Sequence, residues 1–503
     1  MDNKYDLIVG LEIHVQTKTK SKMFCSCPTH YFQDEPNTHV CPVCFGLPGA
    51  LPVPNKRAIE LCILMGLATN CKIDSEIHFD RKHYFYPDLP KGYQISQYGR
   101  PVCSDGYVMI KNKKGEDVKV ELERIHQEED VAKSTHYKEG NLDYSLIDYN
   151  KSGVPLIEIV TKPCIRSAYD AKEYASKIRQ ICRYLGISDA DMEKGQMRCE
   201  PNISLQEKGK WEYKDGQLLP VGDYKLNSKV EVKNIGSISA VEKSIEYEVK
   251  RLTEELEKGN TIEQQTRGWN ADKGITEFQR SKETADDYRY MPEPDIPVID
   301  ITDEDIERTK KELVELPDEK AKRYLETYGL SEYDTGVLTA KREISEYFEE
   351  VIEQLSKDIT DIKEAAKLAS NWITGTLFSL SNTMGLEISD KNIQIEDLVA
   401  LIKAFKDNTL TKNKAEELLK QALEEKKDLG DLLDEFKKTK EESNGDIEDT
   451  ISKVLDENTQ AVEDFKKGKQ ASMGYLIGQV MQKTHGSADP NEVRSILEKK
   501  LNE

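Results

Sequence analysis

The sequence predicts an α+β fold in which a largely antiparallel sheet is followed by all-α helical domains. Short runs of alternating polar and apolar residues, such as 118–123 and 229–233, indicate strands between residue 5 and about residue 295. Glycine and proline separate these runs, as is typical of turns. After a proline-rich connector at 291–297, lysine, glutamate, leucine and isoleucine dominate, and the apolar residues have helical spacing.

Helices are also expected within the strand-rich part, at residues 56–69 and 168–185, the second ending at Gly186. An amphipathic stripe from Val337 to Leu355 marks the helical part that follows. A chain of 503 residues should form about three domains. We expect the following limits: residues 1–294, 295–405 and 406–503.

Residues 10–16 form the strand around which the N-terminal part is organised. Every second residue is apolar, so Glu12 and His14 point to the face opposite the core. Residues two apart on one face of a strand lie about 7 Å apart, a distance at which a carboxylate and an imidazole can share one cation. An edge strand with a solvated polar face is the alternative for this segment taken alone.

The composition argues against two classes of protein. The net charge of −21 is unfavourable for a general nucleic-acid coat, because phosphate neutralisation needs a basic face. Any RNA contact should therefore be confined to a small area. The sequence has no run of about 18 apolar residues, and residues 1–6 are too polar for a secretory signal. We expect a cytoplasmic protein with no membrane contact.

All ten cysteines precede residue 200, and four of them are closely spaced: Cys25, Cys27, Cys41 and Cys44. The proline-containing loop between the two pairs can bring four thiolates to one tetrahedral ion, which predicts Zn²⁺. Four thiolates leave no coordination position for a substrate, so the site should be structural. The alternatives are unliganded thiols, or His30 or His39 in place of one cysteine.

Carboxylates recur on or near other predicted strands. Glu128 and Glu129 follow the alternating run at 118–123. Glu158 is the only charged residue in the apolar run 156–160, and a buried carboxylate needs a cation or hydrogen bonds. Glu158 is therefore either a site residue or a paired structural carboxylate.

Further strands present polar side chains to one face. If residues 197–205 are extended, Arg198 and Glu200 point the same way, and the same holds for Glu231 and Lys233. Such an open, charged cradle suits Mg²⁺ and ATP, since hard oxygens bind Mg²⁺ while arginine and lysine neutralise phosphate. The sequence contains no P-loop, dinucleotide-binding turn or nucleophile elbow.

The chain resembles the B-subunit family of the tRNA-dependent amidotransferases, which convert misacylated Glu-tRNA(Gln) or Asp-tRNA(Asn) to the amide form. The resemblance is carried by residues 10–16, 79–97, 128–130, 153–160, 266–269, 286–290 and 474–481. It implies a glutamine-synthetase-like cradle, a helical domain and a mobile helical tail that contacts tRNA. ATP would phosphorylate the side-chain carboxylate on the tRNA, and ammonia would then displace the phosphate.

The resemblance also implies partners and site residues. A heterotrimer is expected, in which an amidase A subunit releases ammonia from glutamine and a small C subunit wraps between the other two. The implied metal-binding positions are Glu12, His14, Glu128 and Glu129, with Glu158 as a further catalytic candidate. The cations assigned to ATP are Arg81, Lys82, Arg198 and Lys233.

Two features depart from the family pattern. Only part of the family has the four-cysteine loop, so zinc is expected from the residues and not from the resemblance. Lys151 stands where members more often have arginine. Lysine keeps the charge but loses the bidentate fork, so the resemblance does not support a planar contact at that position.

Two other functions fit the same residues. A free-standing carboxylate–ammonia ligase would use ammonia directly, and a zinc-stabilised adaptor would bind tRNA without catalysis. Amide formation on the tRNA ester, on free glutamate or on neither separates the three functions.

Overall fold

The computed structural model describes residues 4–281, 287–386, 388, 392–444, 447–466, 469–484, 488 and 490–502. The chain forms two compact units, Met1–Lys320 and Ala321–Glu503. The first contains a largely antiparallel sheet with helices and the second is helical, which confirms the predicted fold class. The expected domain limits at residues 294 and 405 stay predictions.

The strands of the described chain all lie in the first unit. They are β1 (Tyr5–Gln16), β2 (Lys72–Ile73), β3 (Glu76–Ile77), β4 (Asp80–His83), β5 (Tyr93–Ser96), β6 (Cys103–Ser104), β7 (Tyr107–Lys111), β8 (Asp117–Glu129), β9 (Lys133–Glu139), β10 (Leu142–Asp148), β11 (Pro155–Thr161), β12 (Met197–Glu207), β13 (Trp211–Lys214), β14 (Gln217–Pro220), β15 (Val230–Lys233), β16 (Gln265–Asn270), β17 (Ile275–Ser281), β18 (Met291–Pro292) and β19 (Ile299–Asp300).

Helices occur in both units. In chain order they are α1 (Lys56–Ala68), α2 (Ala168–Tyr184), α3 (Ile238–Glu257), α4 (Asp303–Lys310), α5 (Pro317–Arg323), α6 (Glu332–Leu338), α7 (Arg342–Leu355), α8 (Ile362–Ser370), α9 (Phe378–Met384), α10 (Ile395–Lys406), α11 (Lys412–Glu425), α12 (Leu429–Asn444), α13 (Ile447–Glu457), α14 (Thr459–Lys466), α15 (Ala471–Lys483) and α16 (Pro490–Asn502). Two π-helical segments accompany them, Tyr324–Tyr328 and Asn371–Leu377.

The main sheet has the strand order β17-β16-β15-β12-β1-β11-β8-β6-β2, and β7 also pairs with β8. Its neighbouring strands are antiparallel, except that β15 and β16 are parallel. β1 lies at the centre and pairs with β11 on one edge and β12 on the other. Because both edges are hydrogen-bonded, the register of β1 decides which side chains reach each face.

One face of β1 builds the core of the first unit. Leu11, Ile13 and Val15 are each at most 1% exposed. Helices α1, α2 and α3 contact β8, β1 and β12, respectively. The opposite face of β1 carries Glu12 and His14, as the alternation predicts.

The helix limits in the first unit agree with the sequence pattern. α1 ends at Ala68, one residue before the expected limit. α2 ends at Tyr184, and Gly186 follows with a φ of 65°, a conformation that favours glycine.

Two expected elements differ in the structure. β8 continues through Glu129, so the carboxylates at 128 and 129 lie on the strand and not after it. The apolar stripe from Val337 to Leu355 belongs to two helices, because α6 ends at Leu338 and α7 begins at Arg342.

Among its described residues, the second unit has two hydrophobic clusters. The first contains buried residues from Tyr324 to Leu433 and the second contains buried residues from Ile447 to Leu501. In the second cluster α15 contributes Met473, Leu476 and Val480, the apolar face of a helix.

Truncation of Ile13, which is fully buried and lies opposite Ile159, tests the central position of β1. Ile13→Ala should lower the free energy of unfolding by about 2–5 kcal/mol, and the matched Ile13→Val by about 0.5–1.5 kcal/mol. Urea titration of the full chain, followed by tryptophan fluorescence, measures both. Equal, small losses in the two variants would contradict a close-packed core at this strand.

Candidate active site

A row of charged and imidazole side chains crosses the sheet. The strand register places His14 opposite both Glu158 of β11 and Arg198 of β12. Glu158 in turn lies opposite His126 of β8. Directly opposite residues of antiparallel strands point to the same face, so these side chains converge on one cavity of about 630 Å³.

Most of the predicted site residues line this cavity. They are Glu12, His14, Lys82, Glu128, Glu158, Arg198 and Lys233.

The first carboxylate cluster lies between two histidines. His14 Nε2 is 3.4 Å from a Glu158 oxygen and 3.8 Å from a Glu128 oxygen. His126 Nε2 is 3.2 Å from the same oxygen of Glu158. Burial would lower the pKa of His14, but Glu158 and the other nearby carboxylates raise it to about 9. Burial would raise the pKa of Glu158, but His126 and His14 hold it well below its ordinary value.

The second carboxylate cluster consists of Glu12, Glu200 and Glu231, whose nearest oxygens lie within 4.8 Å of one another. Lys233 Nζ is 2.8 Å from Glu200 and 4.0 Å from Glu231. Asn202 donates a hydrogen bond of 2.8 Å to Glu12. Burial would raise the pKa of Glu200, but chiefly the Lys233 ammonium lowers it to about 2. The sequence predicts Glu200 and Glu231 on the polar face of the sheet but does not indicate that they are metal ligands.

Both clusters fit a divalent cation. One ligand atom each of His14, Glu128 and Glu158 also lies within 4.8 Å of the others. Oxygen ligands at about 2.0–2.1 Å from Mg²⁺ lie roughly 3 Å apart, so movements of about 1 Å complete either site. Each cluster offers three ligand atoms, so the cavity has room for two candidate cation sites.

Lys82 brings a positive charge into the cavity. Its Nζ is 4.0 Å from Glu128 Oε1 and 5.0 Å from the centre of the Tyr288 ring. Burial would lower the pKa of Lys82, but Glu128 in particular holds it well above its ordinary value. Lys82 is therefore a protonated ammonium group facing the carboxylates.

The neighbouring residue Arg81 does not reach the cavity, in contrast to the expectation that it contacts phosphate. Successive residues of β4 point to opposite faces, so Lys82 faces inward and Arg81 faces away. The Arg81 guanidinium donates two hydrogen bonds of 2.7 Å to Glu293. A bidentate ion pair of this kind fixes the β4–β18 region and holds the guanidinium outside the cavity.

Glu129 also lies away from the cavity, in contrast to its expected role at the metal. It follows Glu128 on β8 and points to the opposite face. There its carboxylate accepts hydrogen bonds from Lys91 Nζ and from the Ile95 amide. Among the described residues Glu129 is thus part of a structural ion pair.

Tyrosines surround the cavity, a feature that strand alternation alone does not reveal. The Tyr98 and Tyr290 rings stack at 4.3 Å and 15°, and Tyr84 meets Tyr288 edge-on at 6.1 Å. Tyr86 and Tyr98 are about half exposed. Such rings offer flat surfaces on which nucleobases stack. The signal in the sequence is the clustering of aromatic residues near positions 84–86 and 288–290; Asp286 lies outside the described residues.

Asp130 joins three polar side chains beside the carboxylate clusters. It is buried and accepts hydrogen bonds of 2.7 Å from Lys151 and Gln16, and two, of 3.3 and 3.4 Å, from Arg198. Burial would raise the pKa of Asp130, but Arg198 and Lys151 hold it well below its ordinary value. Lys151, at a position where family members more often have arginine, makes a single hydrogen bond to Asp130. The planar guanidinium that contacts Asp130 belongs to Arg198.

The cysteine loop brings together all four predicted thiols. The sulfur atoms of Cys25, Cys27, Cys41 and Cys44 all lie within 4.8 Å of one another. The Cys41 amide donates to Cys44 Sγ at 3.2 Å. The cluster could bind a metal such as zinc, since four sulfurs are a tetrahedral donor set.

A buried lysine compensates the charge of this cluster. Lys22 is fully buried, and its Nζ lies 3.6 Å from Cys44 Sγ and donates to the Tyr149 carbonyl at 3.2 Å. A hydrogen bond from the Cys25 thiol outweighs burial and lowers the pKa of Cys44 to about 4, with Lys22 acting in the same direction. Cys44 is therefore a thiolate at neutral pH, the form that binds metal.

Comparison with known protein families identifies the domain that contains this cavity. The model of the GatB/GatE catalytic domain matches residues 7–307, which include every cavity residue named above. This chain belongs to the GatB/GatE family. A second family model, the GatB domain, matches residues 346–501 of the same chain.

Relatives of this GatB/GatE family member match along its whole length. The B subunit of the aspartyl/glutamyl-tRNA(Asn/Gln) amidotransferase of Thermoanaerobacter pseudethanolicus is 43% identical over 499 residues. The protein of the same name from Thermotoga maritima is 42% identical over 500 residues, and each alignment covers 99% of both chains. The family resemblance predicted from the sequence is confirmed. In the described part of the chain no helix combines the length and the hydrophobicity needed to cross a membrane.

Replacement of Lys151 tests the network around Asp130. Lys151→Met should lower the free energy of unfolding by about 1.5–3 kcal/mol, because a buried carboxylate loses a charged hydrogen bond. Lys151→Arg keeps a donor and should lose less. Urea titration of both variants measures the difference. Equal stability of Lys151→Met and the unmodified protein would show that Arg198 alone compensates Asp130.

Proposed function

We propose that this chain catalyses the ATP-dependent amidation of Glu-tRNA(Gln), Asp-tRNA(Asn) or both, to form Gln-tRNA(Gln) and Asn-tRNA(Asn). The observation that carries the proposal is one cavity in which two carboxylate clusters lie beside lysine and arginine side chains. The name of the relatives, which describes the B subunit of an aspartyl/glutamyl-tRNA(Asn/Gln) amidotransferase, supports the substrate class.

The first half-reaction makes the carboxylate reactive. A side-chain carboxylate oxygen of the tRNA-bound residue attacks the γ-phosphorus of ATP, the bond to the ADP oxygen breaks, and an acyl phosphate forms. Negative charge spreads over the phosphate oxygens during this transfer. Lys82, Arg198 and Lys233 line the cavity and would neutralise that charge.

The two carboxylate clusters would hold Mg²⁺. The residues are His14, Glu128 and Glu158 in one cluster and Glu12, Glu200 and Glu231 in the other. When bound, Mg²⁺ supplies positive charge that orients ATP oxygens and stabilises the transferred phosphoryl group. Glu12, His14, Glu128 and Glu158 are therefore proposed in the roles that the resemblance implies for them.

In the second half-reaction, ammonia attacks the carbonyl carbon of the acyl phosphate and inorganic phosphate leaves. The attacking nitrogen must then lose a proton. The departing phosphate can accept that proton, so the step needs no further base. Hydrogen bonds from Ser96 at 2.7 Å and Gln94 at 3.2 Å hold the Glu128 carboxylate in place as a metal ligand.

The tyrosines around the cavity support an RNA substrate. A tRNA ester must enter through this rim, and the exposed faces of Tyr86 and Tyr98 offer stacking surfaces for its terminal bases. The net charge of −21 limits non-specific RNA binding, so contact at a defined rim and at the helical tail, residues 406–503, fits the composition.

The ammonia would come from a partner. The relatives are named as one lettered subunit of an amidotransferase, which points to a complex with further subunits. We propose a heterotrimer with an amidase A subunit that hydrolyses glutamine and a small C subunit, acting in the cytoplasm. The missing Gly/Ser-rich amidase signature in this sequence fits a glutaminase on another chain.

We also propose that the cysteine cluster binds Zn²⁺. Its four sulfur ligands leave no open position, so the ion would fix the loop without taking part in catalysis.

Substitution of the cluster residues tests the catalytic proposal. Glu12→Gln and Glu128→Gln should each lower amide formation on Glu-tRNA(Gln) by roughly 10²–10³-fold, as for loss of one electrostatic contact to a transition state. The assay uses the complete complex with ATP, Mg²⁺ and ammonium, so that glutamine hydrolysis is not needed. The exposed Glu193→Gln is the matched control and should retain full activity.

The same assay separates the other functions. Amide formed on free glutamate instead of the tRNA ester would favour a free-standing ligase. Tight tRNA binding without any amide would favour the adaptor. Unchanged rates in Glu12→Gln and Glu128→Gln would contradict the assignment of both clusters.

Cysteine substitution tests the zinc proposal. Cys41→Ser should remove one chelator-resistant zinc per chain and lower the melting temperature, because metal binding contributes to folding. Cys71→Ser, outside the cluster, should retain the zinc. Plasma mass spectrometry and thermal unfolding measure the two effects. A metal-free protein that melts at the same temperature would rule out the structural role.

A further inference from the structure

We propose a second, weaker zinc site in the loop between the two cysteine pairs, formed by His30, Asp34 and His39. One ligand atom of each lies within 4.8 Å of the others. His39 Nε2 is 3.5 Å from Asp34 Oδ2, and the two imidazole centres are 4.9 Å apart. Ligands at about 2.0–2.1 Å from a tetrahedral ion are roughly 3.4 Å apart. The Asp34–His39 pair already has this spacing.

The loop holds these side chains together through bonds that do not involve metal. Asn150 is fully buried, accepts a hydrogen bond of 2.7 Å from the His39 amide and donates one of 2.8 Å to the Glu35 carbonyl. Asn37 donates from its side chain to the Ile147 carbonyl at 3.1 Å. The residues next to Asp34 and His39 are therefore anchored to the strand region at 147–150. Anchoring lowers the entropy that an ion must overcome to gather its ligands.

The donor set selects the kind of ion. Two imidazoles with one carboxylate suit Zn²⁺ and similar transition metals, whereas sites for Mg²⁺ consist mainly of oxygen ligands. The nitrogen that faces Asp34 is His39 Nε2, so this atom is the one that would bind the ion.

Three protein ligands also distinguish this site from the cysteine cluster. A fourth position stays open to water, and His30 and Asp34 are exposed, so the ion should exchange with solvent. The four-thiolate cluster has no such position. The two sites share a support, because Lys22 Nζ donates to the His39 carbonyl at 2.8 Å and lies 3.6 Å from Cys44 Sγ. Zinc bound by His39 would thus be connected, through Lys22, to Cys44 of the cysteine cluster.

Zinc stoichiometry of the full-length protein tests the proposal. The protein is dialysed against micromolar Zn²⁺ in millimolar Mg²⁺, which keeps the two carboxylate clusters of the cavity occupied. Bound zinc is counted by plasma mass spectrometry before and after a brief chelator wash. We expect two zinc ions per chain before the wash and one after it. His30→Asn and Asp34→Asn should bind one ion in both conditions, with unchanged melting temperature after the wash. His136→Asn, an exposed histidine of β9, is the control and should bind two.

Other outcomes would overturn the second site. One zinc ion per unmodified chain in both conditions would exclude it. A single ion that is lost in His39→Asn would also overturn it, because an imidazole would then replace a cysteine in the first site. In Cys41→Ser, one washable ion that depends on His30 would support two independent sites.

Discussion

The desolvation of clustered carboxylates is the constraint on which the rest of this structure depends. Glu128, Glu158 and Glu231 are all buried on one face of the sheet. An isolated buried carboxylate costs several kcal/mol unless cations or hydrogen bonds compensate it. Imidazoles compensate one cluster and Lys233 the other, and both clusters retain a geometry that fits a divalent ion. A fold that tolerates this arrangement keeps several carboxylates in position to share a divalent ion.

Strand β1 explains how the clusters meet. Its core-facing side chains fix the register by burial, and the opposite side chains are thereby aimed at the cavity. β1 pairs with β11 and β12, which come more than a hundred residues later in the chain. The two clusters therefore form only when the whole sheet is assembled, and the site depends on the packing of the first unit.

The sequence alone predicts which face of the sheet a side chain points to. It predicts less well which side chains of other strands lie beside it. Alternation places Glu12 and His14 together and marks Glu158 as unusual, and all three line the cavity. The same rule limits adjacent residues, since Glu128 and Glu129 on one strand cannot face one cavity. The alternating run at 118–123 indicated a shorter β8, with Glu128 and Glu129 after its end. The sequence pattern therefore did not show that these two residues point to opposite faces. Strand order cannot be read from the pattern, so the group of Glu12, Glu200 and Glu231 becomes visible only in the structure.

The cysteine loop shows the same difference. Contacts between residues close in sequence can be predicted from the sequence, whereas contacts between distant residues cannot. The spacing of the four cysteines predicts their cluster, because metal ligands on one loop are close in sequence. The approach of His39 to Asp34 depends on Asn150, which lies more than a hundred residues away. Long-range bonds of this kind have no signature in a single sequence.

Divalent-cation binding tests the central claim most directly. Mn²⁺ can replace Mg²⁺ and its binding to the zinc-loaded chain can be counted by electron paramagnetic resonance. Two Mn²⁺ ions per chain are predicted, of which Glu200→Gln removes one and Glu158→Gln the other. Failure of the unmodified chain to bind Mn²⁺, or binding that is unchanged in both variants, would contradict the account.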